Sequence, residues 1–140
     1  MAVPRPEPGL VISYDYLWRH QREAGLEEGV KTRPCAIVVA VHKTDGAIET
    51  VVAPITHRCP SRPQKGIELP AAVKQHLGLD DRRSWVVVTD LNVFLWPGYD
   101  LRPVPGRKDG RFHYGYLPPR LFKIVREAIR ESLTAATPRD

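Results

Sequence analysis

Residues 34–56 limit the possible folds more than any other part of the chain. Two apolar runs rich in small and β-branched residues, CAIVVAV at 35–41 and AIETVVAPIT at 47–56, flank the turn dipeptide Asp45-Gly46. Runs of this length and composition favour buried strands, and Asp-Gly supplies the positive-φ backbone of a tight turn. The segment therefore predicts an antiparallel β-hairpin. Such pairing sets the start of one strand beside the end of the other. Arg33, before the first strand, should then neighbour Thr56 and His57 at the end of the second. Pro34 biases Thr32-Arg33 toward extended backbone and sets the strand's entry.

The remaining sequence supplies more short strands and few helices. GLVISYDYLW at 9–18 alternates and is aromatic and β-branched, which predicts a strand. The polar stretch 19–32 predicts a long loop with room for a short helical turn, and long loops in compact domains often carry function. HRCPSRPQKG at 57–66 is a second polar loop. A short strand follows at 67–70, then a brief helix over 71–79, with Pro70 suited to its first turn and Gly78 to its C-terminal cap. Residues 84–96 hold a buried strand and a second one, broken at Asp90-Leu91-Asn92. Asp109-Gly110 suggests an edge hairpin within 101–117. Leu121, Ile124, Val125, Ala128, Ile129 and Leu133 recur at helical spacing, so 118–133 predicts an amphipathic helix. The fold class is mainly β (α+β), a small curled sheet or barrel closed by a C-terminal helix. The expected organisation is a flexible arm over 1–8, one domain over 9–134 with a single core, and a flexible tail over 135–140.

The formal net charge of +5 favours anionic partners, nucleic acid first. No apolar run is long enough to span a bilayer, and the N-terminus shows no secretory signal. Cys35 and Cys59 form no metal or redox spacing, so reduced thiols and a cytoplasmic location are expected. The chain has no phosphate-binding glycine loop, zinc spacing or nucleophile elbow. No cofactor and no metal is expected.

Three polar clusters stand at strand ends: Glu27, Glu28, Lys31 and Arg33; Thr56, His57 and Arg58; and Asp90 with Asn92. Arginine presents forked donors to phosphate, and histidine moves protons near neutral pH. The first two clusters suit a phosphate site, and are equally compatible with surface ion pairs and a turn. Asp90 either faces a cleft or caps a turn. In RKDGRFHYGY at 107–116, Phe112, Tyr114 and Tyr116 alternate with Arg111, His113 and Gly115. This pattern suits stacking on single-stranded RNA, or a solvated edge strand whose aromatics cover the core.

In order along the chain stand Pro8-Gly9-Leu10-Val11-Ile12, Gly25-Leu26-Glu27-Glu28, Lys31-Thr32-Arg33-Pro34 leading into an apolar strand, Val51-Val52-Ala53-Pro54-Ile55-Thr56, Val87-Val88-Thr89-Asp90, and Gly115-Tyr116-Leu117 before the last helix. This ordered set, over roughly residues 8–132, resembles the PemK/MazF family of toxin ribonucleases. The resemblance implies an SH3-like barrel, usually a homodimer. It implies a sequence-selective, metal-independent endoribonuclease (mRNA interferase) acting on single-stranded RNA. It also implies a cognate antitoxin, and operator DNA as a target of the toxin–antitoxin complex. Carried over by position, the resemblance implies that Arg33 stabilises the transition-state phosphate and is a candidate acid, that Glu27 or Glu28 is the base, and that Thr56 holds phosphate. Lys31, Arg58, Asp90, Asn92, Arg111 and Tyr114 are the candidate substrate contacts.

The sequence departs from the family at several points. The first loop is longer than in short members, and 97–114 is an insertion. His57 stands where Ser or Thr is common and offers a second acid or base. Val88 stands where some members carry Arg. The same barrel also suits a non-catalytic nucleic-acid-binding module or a protein-interaction module.

Overall fold

The computed structural model describes residues 3–25 and 31–134. Its elements are β1 (Leu10–Tyr16), α1 (Arg19–Glu23), β2 (Lys31–His42), β3 (Ile48–Thr56), β4 (Gly66–Glu68), α2 (Ala71–Leu77), β5 (Trp85–Val87), β6 (Asn92–Leu95), β7 (His113–Tyr116) and α3 (Pro119–Thr134). The strands form one curled antiparallel sheet in the order β4-β5-β3-β2-β1-β7. β3 carries two further partners on one edge: its first half pairs with β6 and its last two residues with β5. One strand feeding two neighbours in succession makes the sheet curl toward a half-barrel.

The predicted hairpin is present. β2 and β3 pair from Cys35↔Pro54 to His42↔Ile48, with a bulge between Ile37 and Val39. β2 starts earlier than the apolar run, at Lys31, because Thr32 and Arg33 pair with Asp15 and Tyr14 of β1. The polar residues before the proline are therefore part of the sheet.

The apolar continuity of the central strands has a direct cause: both faces of the sheet are covered. Val11, Ala36, Val38, Ala53 and Ile55 join Leu77 of α2 and Leu121, Val125 and Ile129 of α3 in one buried cluster. Ile12, Tyr14, Tyr16, Cys35, Ile37 and Val52 form a second cluster with Leu101. Phe94 lies over Tyr14 there, with ring centroids 4.7 Å apart. The single expected core is thus two clusters back to back across one sheet. Strict alternation in β1 and β2 divides the residues between them.

Some boundaries differ from expectation. Pro70 is the N-cap of α2 and not its first-turn residue, while Gly78 closes that helix in the left-handed conformation at φ 73°. On α3, Ile124 and Leu133 are exposed, and the buried stripe is Leu121, Val125 and Ile129. The segment 101–117 is no regular hairpin. Leu101 bridges to Tyr14 and β7 pairs further along β1, so both run along the outer edge of β1. One backbone bond, Val104 N–H to the Arg111 carbonyl at 2.8 Å, links the two sides. No described helix is long and apolar enough to cross a membrane.

Candidate functional site

Arg33 and Thr56 converge as the hairpin requires. The register that sets Cys35 against Pro54 brings Arg33 and Thr56 opposite one another two residues on. Both line a cavity of about 520 Å³ at the mouth of β2 and β3, together with Lys31, His57, Arg58 and Tyr114. Arg82, from the loop before β5, joins this wall.

Arg33 is half-buried. Its guanidinium lies 5.2 Å from the centroid of the Trp18 ring, a cation–π contact. Its Nε is buried and has no hydrogen-bond partner. Burial lowers the pKa of Arg33, an effect that outweighs the opposing influence of Cys35 and Tyr16, yet a guanidinium stays charged in proteins. A partly desolvated cation with no carboxylate among the described residues is suited to take an anion.

Thr56 is the last residue of β3, paired with Trp85. Its Oγ1 accepts the Arg58 N–H at 3.2 Å. That bond uses an oxygen lone pair and leaves the hydroxyl hydrogen to donate into the cavity.

His57 also reaches the cavity, but its ring is spoken for. Nε2 lies 2.9 Å from Oδ2 of Asp80. Nδ1 lies 3.1 Å from the Arg83 carbonyl and 3.1 Å from Ser84 Oγ. Asp80 is itself held, since its Oδ1 accepts the Arg82 N–H at 3.1 Å, with Lys74 Nζ at 3.8 Å. The arrangement pins the Thr56-His57-Arg58 turn to the loop after α2.

The other expected contacts divide. Lys31, Arg58 and Tyr114 face this cavity. Burial is the main reason the Tyr114 hydroxyl has a raised pKa. Arg111 does not line the cavity and pairs instead with Asp109 at 3.6 Å. Asp90 and Asn92 are buried and committed to the segment after β1. Asp90 Oδ1 accepts the Tyr16 hydroxyl at 2.8 Å, and its Oδ2 accepts the Arg19 N–H at 3.2 Å. Asn92 accepts the Leu17 N–H at 3.0 Å and donates to the Leu17 carbonyl at 2.7 Å. These bonds hold the chain on either side of Trp18, which in turn lies over Arg33. Glu27 and Glu28 lie outside the described residues.

Sequence reasoning missed Trp18, Asp80, Arg82 and Ser84. The aromatic cluster Tyr14, Tyr16 and Trp18 was the available signal for Trp18. Asp80 carried none, because its approach to His57 depends on β5 pairing with the end of β3. No protein-family model matches the chain, and no curated protein matches it.

Proposed function

We propose that the protein is a metal-independent endoribonuclease that cleaves single-stranded RNA, the toxin of a toxin–antitoxin pair on an SH3-like barrel. The observation that carries this reading is the convergence of Arg33, half-buried and without a carboxylate among the described residues, with the Thr56 hydroxyl on one cavity. The reaction uses the ribose 2′-OH as nucleophile. The O2′–P bond forms and the P–O5′ bond breaks, giving a 2′,3′-cyclic phosphate and a 5′-hydroxyl. A base takes the 2′ proton and an acid supplies one to O5′. Arg33 and Thr56 donate to the phosphoryl oxygens, whose charge grows in the transition state. Glu27 or Glu28 is assigned the base on the family resemblance. His57, with both nitrogens occupied, positions the Thr56 turn in this scheme. The homodimer, antitoxin and operator DNA belong to the same reading and rest on the resemblance.

Cleavage of a defined single-stranded RNA in EDTA tests the proposal. The wild type is expected to cut, and Arg33→Ala to lose on the order of 100-fold or more, the scale for removing a transition-state donor. Full activity in Arg33→Ala would remove the site assignment. RNA binding without any cleavage would favour the non-catalytic module on the same fold.

A further inference from the structure

The cavity around Arg33 does not stand alone. Arg33, Thr56 and Arg58 also line a neighbouring cavity of about 370 Å³, with Trp18, His20 and Gln64. His20, Ser61 and Gln64 of that second cavity line a third, of about 690 Å³, which reaches Arg19, Arg62 and Ser132 near the end of α3. Shared walls set the three side by side. The series runs from the cavity of Tyr114 and Arg82, past Arg33, to the cavity between the α1 segment and the loop after β3.

The exposed, unpaired charges on these walls are cationic. Lys31, Arg58, Arg82, Arg19 and Arg62 are exposed, and none makes an ion pair with a described residue. The two carboxylates on these walls are already engaged, Asp80 by His57 and Asp90 by Tyr16 and the Arg19 N–H. Free cations spaced along a concave surface suit a flexible polyanion. Successive pockets between them suit bases splayed out of a stack, which a single strand offers and a duplex does not.

We infer that the three cavities are one track for single-stranded RNA, with Arg19 and Arg62 forming a further subsite that holds phosphates beyond the bond at Arg33. The identification of Arg33 with the scissile position rests on the ribonuclease reading. The track itself does not need cleavage. Its consequence is length dependence, because a longer oligonucleotide can contact Arg33, Arg19 and Arg62 at once.

Fluorescence anisotropy in EDTA tests this with labelled 2′-O-methyl RNA, a trinucleotide and a decanucleotide, which cannot undergo 2′-OH attack. Wild type is compared with the double variant Arg19→Gln/Arg62→Gln, after matching their melting curves. Both side chains are exposed, and the Arg19 contribution to Asp90 is through its backbone N–H, which the variant keeps. The wild type should bind the decanucleotide more tightly than the trinucleotide. The variant should lose roughly tenfold on the decanucleotide alone, and its salt slope should fall by about 1.4, from about 0.7 per lost phosphate contact. A decanucleotide bound no more tightly than the trinucleotide would overturn the track. So would an unaltered affinity in the variant, or equal affinity for the corresponding duplex. Parallel cleavage of unmodified RNA separates the two ideas. Length-dependent binding without Arg33-dependent cleavage keeps the track and removes the ribonuclease. Arg33-dependent cleavage without length dependence does the reverse.

Discussion

Nε2 of His57 lies 2.9 Å from Oδ2 of Asp80, and this contact leaves the imidazole no free nitrogen. Its other nitrogen already faces the Arg83 carbonyl and Ser84 Oγ, both at 3.1 Å. A proton carrier in the proposed reaction needs a ring nitrogen facing substrate. A latch needs both nitrogens held. The geometry is that of a latch on the Thr56 turn.

His57→Ala should therefore lower stability by about 1 kcal/mol, the usual scale for lost hydrogen bonds discounted for partial exposure. Cleavage should fall with it, because Thr56 loses its fixed place. Added imidazole should not restore the rate. Rescue by imidazole would show that His57 carries the proton. Asp80→Asn should behave like a weaker form of the same change, since an amide still accepts from Nε2–H.

Trp18 supports the Arg33 guanidinium at 5.2 Å and is braced in turn by Tyr16, whose ring centroid is 5.1 Å away. A partly desolvated cation–π contact contributes about 1–2 kcal/mol. Trp18→Leu should lower kcat by roughly tenfold while KM changes little, because the cation stays but its aim is lost. Trp18→Phe should keep most activity. Equal loss in both variants would mean that Trp18 only fills space.

The Asp90 carboxylate ties the loop between β5 and β6 to the end of β1 and the start of α1, more than seventy residues away in sequence. Removing it takes one acceptor, at 2.8 Å, from the buried Tyr16 hydroxyl, which also points at the Asp90 carbonyl at 2.6 Å, and strips the Arg19 N–H of its acceptor. Asp90→Ala should destabilise by about 1–3 kcal/mol, read as a lower urea midpoint with unchanged slope. RNA affinity measured well below the melting temperature should fall less than in Arg19→Gln/Arg62→Gln, because Asn92 still holds both backbone groups of Leu17. A stable variant that binds RNA weakly would instead make Asp90 a substrate contact.

Much of this arrangement was legible because it follows from local rules. Asp45-Gly46 between two apolar runs predicts the hairpin, and the hairpin alone brings Arg33 to Thr56. The Gly78 cap and the Leu121, Val125, Ile129 stripe follow from helix geometry in the same way. What was hidden depends on pairings between remote segments. Asp80 meets His57 only because β5 joins β3, and Trp18 covers Arg33 only because Asp90 and Asn92 hold the chain around it. The 101–117 segment misled for a related reason. Asp109-Gly110 is a genuine turn signal, but β1 offered a longer edge than the two arms offered each other.

Val39 and Val93 are both register partners of Val51, while Val41 and Leu95 both face Glu49, so the four share one outer face of β2, β3 and β6. All four are exposed, with Val93 and Leu95 more than half so. An apolar patch at a sheet edge is a natural contact for a second copy. If the proposed homodimer uses it, Val93→Asp/Leu95→Asp should give a folded monomer in sedimentation, at concentrations where the wild type is dimeric. A dimer that survives both changes would move the interface elsewhere.

The two thiols should differ sharply in reactivity. Cys35 is fully buried in the second cluster, and burial raises its pKa far more than nearby Arg33 lowers it. The thiolate is the reactive form, so Cys35 should resist a thiol reagent at pH 8 until the protein unfolds. Cys59 is exposed and lines the same cavity as Arg33 and Trp18. One equivalent of an aromatic disulfide reagent should react with the native protein and two with the denatured one. Cys59→Ser should leave the native protein unreactive. Because the adduct sits beside Arg33, labelling should weaken single-stranded RNA binding, and bound RNA should slow labelling. Labelling of Cys59 with no effect on RNA affinity would place the RNA path away from this cavity.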